Sequence, residues 1–165
     1  MATINLNELT IHTSGNLPQT GTIAPNFKLV AGDLSRKTLT DFSGSRLVLN
    51  IFPSIDTGTC AASVRKFNEE ASNLENTKIL CISRDLPFAQ GRFCGAEGIK
   101  NVEMLSDFAA GKFGKDYQLE FADGPFKNLH SRAIIIIDPE GIVKYTEQVH
   151  EIADEPNYSS AINAI

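Results

Sequence analysis

Residues 46–60 read Arg46-Leu-Val-Leu-Asn-Ile-Phe-Pro-Ser-Ile-Asp-Thr-Gly-Thr-Cys60. The run from Arg46 to Phe52 is apolar, rich in β-branched and aromatic residues and of strand length, so it reads as a buried strand. Pro53 ends it, because proline has no N–H to give to a sheet ladder. Thr59 then opens a segment with Ala62, Val64 and Phe67 at partly helical spacing. The result is a strand, a short loop and a helix, with a cysteine at the helix start.

The same alternation continues outward. Lys78 to Ser83 reads as a second buried strand, Pro87 to Cys94 as a helix, Val102 to Leu105 as a strand and Asp107 to Lys115 as a helix. Arg132 to Asp138 and Ile142 to Val149 flank Pro139-Glu-Gly and read as an antiparallel hairpin, with Asn157 to Ile165 as a closing helix. At the other end, Thr3 to Leu6, Thr10 to His12 and Phe27 to Val30 read as short strands, the first two forming an N-terminal β-hairpin. Alternation followed by a hairpin predicts an α/β protein whose central mixed β-sheet is flanked by helices on both faces, a thioredoxin-like layer arrangement. With no repeat and no linker-like shift in composition, residues 1–165 are expected to form one domain.

Composition narrows the function. Hydrophobic residues are 42% and charged residues 21%, which is ordinary globular usage. The formal charge of −5 and the lack of a basic run argue against nucleic acid as a partner. No apolar run reaches bilayer length, and the Met-Ala-Thr-Ile-Asn-Leu start lacks a charged and then apolar leader, so no membrane partner and a cytoplasmic location are expected. Three cysteines are too few for a disulfide scaffold and point to redox, metal or packing roles.

Among these cysteines the setting of Cys60 is the informative one. Unpaired N–H groups and the helix dipole at a helix start favour negative charge, and hence the reactive thiolate. A lone cysteine is more commonly a small buried hydrophobe, so the neighbours must decide. Pro53, Thr57 and Cys60 match Pro-x-x-x-Thr-x-x-Cys without a gap. The segment resembles the signature of the peroxiredoxins. The likeness runs along nearly the whole chain and is strongest to the bacterial thiol peroxidases, with atypical two-cysteine chemistry, at Asn50 to Gly58, Ala61 to Phe67, Leu80 to Ser83 and Asp85 to Gln90.

That resemblance implies a thioredoxin-dependent reduction of hydrogen peroxide and organic hydroperoxides. Cys60 would be the peroxidatic nucleophile, Thr57 would hydrogen-bond the thiolate and the incoming peroxide, and Pro53 would shield the sulfur. Taken alone, Thr57 and Pro53 read as a helix N-cap and a strand terminator. The family's distant arginine falls on Arg132, whose guanidinium stays charged and offers a rigid fork of donors; by itself it reads as a strand-edge charge. Arg65 is a weaker candidate. The resolving cysteine falls on Cys94, within Gly91-Arg-Phe-Cys-Gly-Ala-Glu-Gly98, where flanking glycines ease backbone rearrangement. The implied cycle passes through a Cys60 sulfenic acid and an intramolecular Cys60–Cys94 disulfide. It needs no cofactor, its electrons come from thioredoxin, and a homodimer is implied.

The remaining candidates read as structural. Cys81, inside Ile79-Leu-Cys-Ile-Ser83, is expected to be a buried small hydrophobe. His12, His130 and His150 lack paired ligand spacing and no C-x-x-C occurs, so no metal is expected. The glycines between 91 and 98 do not form a phosphate-binding motif. Two other functions share the thiol chemistry. A thioredoxin-like disulfide reductase is disfavoured because position 63 is serine and the chain has no tryptophan. A non-enzymatic redox sensor would stop after one equivalent of oxidant, whereas a peroxidase turns over.

Overall fold

The computed structural model describes residues 1–165. An N-terminal hairpin, β1 (Thr3–Leu6) and β2 (Leu9–His12), stands apart from a seven-stranded sheet. The sheet contains β3 (Lys28–Ala31), β4 (Arg36–Thr38), β5 (Arg46–Ile51), β6 (Thr77–Ser83), β7 (Glu103–Ser106), β8 (Ala133–Ile137) and β9 (Val143–Gln148). The helices are α1 (Gly58–Glu70), α2 (Pro87–Glu97), α3 (Lys112–Asp116) and α4 (Tyr158–Asn163). Strand order is β4-β3-β7-β6-β5-β8-β9. The β5–β6 and β6–β7 pairs are parallel, whereas β3–β7, β5–β8 and β8–β9 are antiparallel, which makes the sheet mixed.

Side-chain alternation along the central strands divides the core. Leu47, Leu49 and Ile51 of β5, with Ile135 and Ile137 of β8, face Phe27, Phe113 and Tyr117 on one side. Val48 of β5 and Phe52 just beyond it, with Ile134 and Ile136 of β8, face Cys60, Val64 and Phe67 of α1 and Ala161 of α4 on the other. Because the period is two, a one-residue slip of β5 would turn both sets the wrong way, so burial on both faces fixes its register. Phe67 meets Tyr158 edge to face at 5.3 Å, joining α1 to α4.

Several boundaries differ from the sequence reading. Asp107 to Lys115 is not one helix: Asp107 lies beyond β7 in a turn, and only Lys112–Asp116 is helical after Gly111 takes a φ of 60°. The carboxylate of Asp107 holds that turn by accepting from the N–H groups of Phe113 and Gly114. Strand β4 is polar and short, and it pairs with the preceding β3 as a hairpin that carries no apolar periodic signal. Helix α2 extends past Cys94 to Glu97 and ends at Gly98, whose φ of 68° is the left-handed cap that glycine adopts without a Cβ penalty.

Candidate active site

Phe52 and Pro53 are buried at the end of β5, and the loop that follows turns into α1. Thr57 has extended backbone at the N-cap, and its carbonyl accepts the first helical bond, from Ala61 N–H at 3.0 Å. Cys60 therefore lies in the first turn of α1, above the orphan N–H groups of the helix start. Its side chain is fully buried, within the cluster that includes Val48, Phe52, Val64 and Ile134.

One polar group reaches this buried sulfur from far along the chain. Arg132, just before β8, is only 3% exposed, and its Nη1 lies 3.4 Å from Cys60 Sγ. Its Nη2 donates to the Ile152 carbonyl at 2.9 Å, so the fork is held by the segment after β9 while its other arm points at sulfur. The carbonyl of Arg132 itself accepts from Val149 N–H and from Gln148 Nε2, which fixes its backbone. Thr59 Oγ1 donates to the Ala153 carbonyl, so the same segment also grips the first turn of α1. Neither carbonyl could be read from sequence, because both are backbone groups brought in by the turn after β9.

The other sequence candidates are placed less uniformly. The Thr57 hydroxyl donates to the Ser54 carbonyl at 3.0 Å and makes no bond to Cys60 or to a helix N–H, so the capping bond expected of it is not formed. Arg65 makes no hydrogen bond to the sulfur. Its guanidinium forms a two-pronged pair with Glu97 at 2.8 and 3.0 Å and covers the Phe93 ring, tying α1 to α2. Cys94 is half-buried on α2 and is a free thiol, as are Cys60 and Cys81. Burial pushes the Cys94 thiol up from its ordinary value. Its neighbours Gln90, Gly91, Lys100 and Met104 line an open groove of about 390 Å³.

Cys81 is fully buried on β6, where burial pushes its thiol up to about 12 against a weaker opposing bond from Asn50. Asn50 Nδ2 also donates to Ser63 Oγ, which in turn donates to the Cys60 carbonyl at 2.8 Å. His12, His130 and His150 stand in separate hydrogen-bonded settings, on Asp123, Asp107 and the Thr3 carbonyl. No three His, Cys, Asp or Glu side chains gather as a metal site, and no helix is long and apolar enough to cross a membrane.

The site therefore joins a buried cysteine at a helix start to a guanidinium on its sulfur, and comparison of the whole chain with known proteins shows its family. Residues 19–162 match the model of the family described as Redoxin. The chain belongs to the Redoxin family. It is 53% identical over 153 residues to a thiol peroxidase of Corynebacterium glutamicum, covering 93% of this chain and 92% of that protein. A peroxiredoxin-like protein of Aquifex aeolicus superposes with a TM-score of 0.92 at 37% identity, covering 98% of this chain and 94% of its own. A thiol peroxidase of Chromobacterium violaceum gives a TM-score of 0.90 at 21% identity, over 98% and 93% of the two chains, a likeness of fold. Within the Redoxin family this chain is therefore a peroxiredoxin-type enzyme with a thioredoxin-like fold, a central mixed sheet between helices.

Proposed function

We propose that the chain reduces hydrogen peroxide and organic hydroperoxides, with Cys60 as the nucleophile, Cys94 as the resolving thiol and a thioredoxin-type dithiol as the source of electrons. The observation that supports this most directly is the 3.4 Å approach of Arg132 Nη1 to Cys60 Sγ in a buried site at a helix start. A guanidinium there stabilises negative charge on sulfur and can also hold a peroxide oxygen, since it carries several donors in one plane.

In the first step the Cys60 thiolate attacks one peroxide oxygen, the O–O bond breaks, and the other oxygen leaves as water or alcohol after taking a proton. Cys60 becomes a sulfenic acid. In the second step the Cys94 sulfur attacks the Cys60 sulfur, an S–S bond forms, and the hydroxyl leaves as water. A dithiol then attacks the disulfide and is itself oxidised, returning two thiols. Pro53, buried beside the loop, keeps water from the sulfur. Thr57 is assigned to the thiolate and the incoming peroxide, a role its hydroxyl takes up on leaving the Ser54 carbonyl.

The same reading makes the cytoplasm the working compartment, because a reducing dithiol must be at hand. It also makes the protein a homodimer. Leu86 and Phe88 at the start of α2 and Phe108 after β7 are large apolar side chains left exposed, of the kind that a second copy would cover. The deciding experiment is a thioredoxin-coupled peroxide assay with hydrogen peroxide and with a bulky alkyl hydroperoxide, on the wild type and on Cys60→Ser and Cys94→Ser. Turnover that is lost in Cys60→Ser and stalls after about one equivalent in Cys94→Ser is expected. Near-normal turnover by Cys60→Ser would overturn the assignment.

A further inference from the structure

Asp85 lies between the end of β6 and the start of α2, and its carboxylate joins two parts of the chain that share no strand or helix. Oδ1 accepts from Ser54 Oγ at 2.8 Å, and Oδ2 accepts from the Ile55 N–H at 2.7 Å and from Ser83 Oγ at 2.6 Å. Ile55 is buried, so its N–H needs an internal acceptor, and the carboxylate is that acceptor. The Ser54 carbonyl in turn receives both the N–H and the hydroxyl of Thr57, the residue that opens α1. The geometry of the loop before Cys60 is thus set from outside it, by bonds to a charged acceptor, which are the stronger kind.

The other end of the connection reaches the helix that carries Cys94. Ser83 Oγ accepts from Gln90 Nε2 at 3.1 Å, and the same amide nitrogen donates to the Leu105 carbonyl at 3.1 Å. Gln90 is buried on α2, one turn before Cys94 and on the same face. A continuous polar path therefore runs from the loop before Cys60, through Asp85 and Ser83, to the helix of Cys94. Nothing in the peroxide chemistry itself uses it.

We propose that Asp85 is a positioning residue with opposite effects on the two chemical steps, holding the 53–57 loop in the shape that peroxide attack needs and latching α2 in the folded position that keeps Cys94 from Cys60. This rests on the assignment of Cys60 as nucleophile and Cys94 as resolving thiol. Cys60 is enclosed in the first turn of α1 and Cys94 sits within α2, so peroxide attack is expected to use the ordered loop and that first turn, whereas closing the disulfide is expected to move the segments that carry the cysteines. Removing the latch should therefore slow the first step and speed the second. A residue that serves only packing would slow both or leave both unchanged.

The test is a quenched single turnover of the full chain with hydrogen peroxide, resolved by mass spectrometry into sulfenate and disulfide. The rate that scales with peroxide belongs to the first step, and the rate that does not belongs to the second. Asp85→Ala is expected to lower the first about tenfold and raise the second about threefold, the size that modest misplacement of reacting groups produces. Ser54→Ala, which removes one of the three bonds, is expected to shift both rates in the same directions by less, and it decides alone if Asp85→Ala does not fold. Rates that move together, or do not move, overturn the latch. Parallel runs with Cys60→Ser and Cys94→Ser separate the two levels: peroxide consumption without Cys60, or closure without Cys94, would refute the underlying assignment whatever Asp85 does.

Discussion

Arg132 and Cys60 are 72 residues apart in the chain, yet Arg132 Nη1 lies 3.4 Å from Cys60 Sγ with both side chains buried. The contact exists because β5 and β8 are antiparallel neighbours, with Ile51 opposite Ala133. The residue before β8 is therefore brought to the end of β5 at which the loop to Cys60 begins. Two sequence-distant elements meet at one sheet position, and the proposed site sits on that meeting.

Arg132→Lys should lower the second-order rate with peroxide by about tenfold, equivalent to about 1.4 kcal/mol, because an ammonium cannot serve the Ile152 carbonyl and the sulfur with a planar fork. Stopped-flow consumption of peroxide under single-turnover conditions measures it. An unchanged rate would reduce Arg132 to a structural charge.

Cys81 yields a prediction about pH and stability. Burial raises its folded-state thiol to about 12, while in the unfolded chain it titrates near an ordinary cysteine value. From about pH 9 upward the unfolded state loses a proton that the folded state keeps, so the wild type loses stability as pH rises through that window. Cys81→Ala lacks this loss, though it begins less stable by about 1 kcal/mol from a small cavity. Urea midpoints should show the gap between the two proteins narrowing from pH 8 to pH 11, with peroxidase turnover retained at pH 7.

The strand at Cys81 shows what the sequence makes legible. Its apolar alternation identified β6 and the buried thiol together, since one pattern carries both. The same logic located β5, β8 and Cys60, where apolar runs end at chemically distinctive residues. Asp85 was visible only as part of a resemblance, because an aspartate before Leu-Pro reads as the end of a turn, and its partners Ser54 and Ile55 come from another loop. Strand β4 and the turn at Asp107 were missed for a different reason, since neither carries an apolar period: β4 is the short polar partner of β3 in a hairpin, and the turn is held by a carboxylate that accepts from N–H groups six and seven residues on. The carbonyls of Ile152 and Ala153 leave no side-chain signal at all.

His130 predicts the acid side. It is fully buried with Nε2 3.0 Å from Asp107 Oδ2, and burial, only partly offset by Asp107, lowers its pKa below the ordinary histidine value. Burial alone would raise Asp107, but bonds from His130, Gly114 and Phe113 outweigh it and hold the carboxyl below the usual range. Below about pH 6.5 the unfolded histidine gains a proton that the folded one resists, so stability falls as pH falls. His130→Gln keeps a donor for Asp107 without titrating near neutrality. Its urea midpoint should decline less than that of the wild type between pH 7.5 and pH 5; parallel declines would show that His130 is not the group responsible.

The last prediction concerns motion during oxidation. A disulfide requires Cα atoms within about 7 Å. Cys60 is fully enclosed in the first turn of α1, and Cys94 is held inside α2, where its carbonyl accepts from the N–H groups of both Gly98 and Ile99. Bringing the sulfurs together is expected to give up those cap bonds, the Thr59 to Ala153 bond and the hold of Arg132 on Cys60. Opening α2 costs little, since Gly91 and Gly95 each weaken a helix by about 1 kcal/mol relative to alanine. Hydrogen exchange should therefore show lower protection in the oxidised than in the reduced protein over the first turn of α1 and over Pro87–Glu97. Strands β5 and β8, paired on both sides in the middle of the sheet, should keep theirs. Equal protection throughout would mean that the two thiols meet without local unfolding, and the helix-opening step would have to be abandoned.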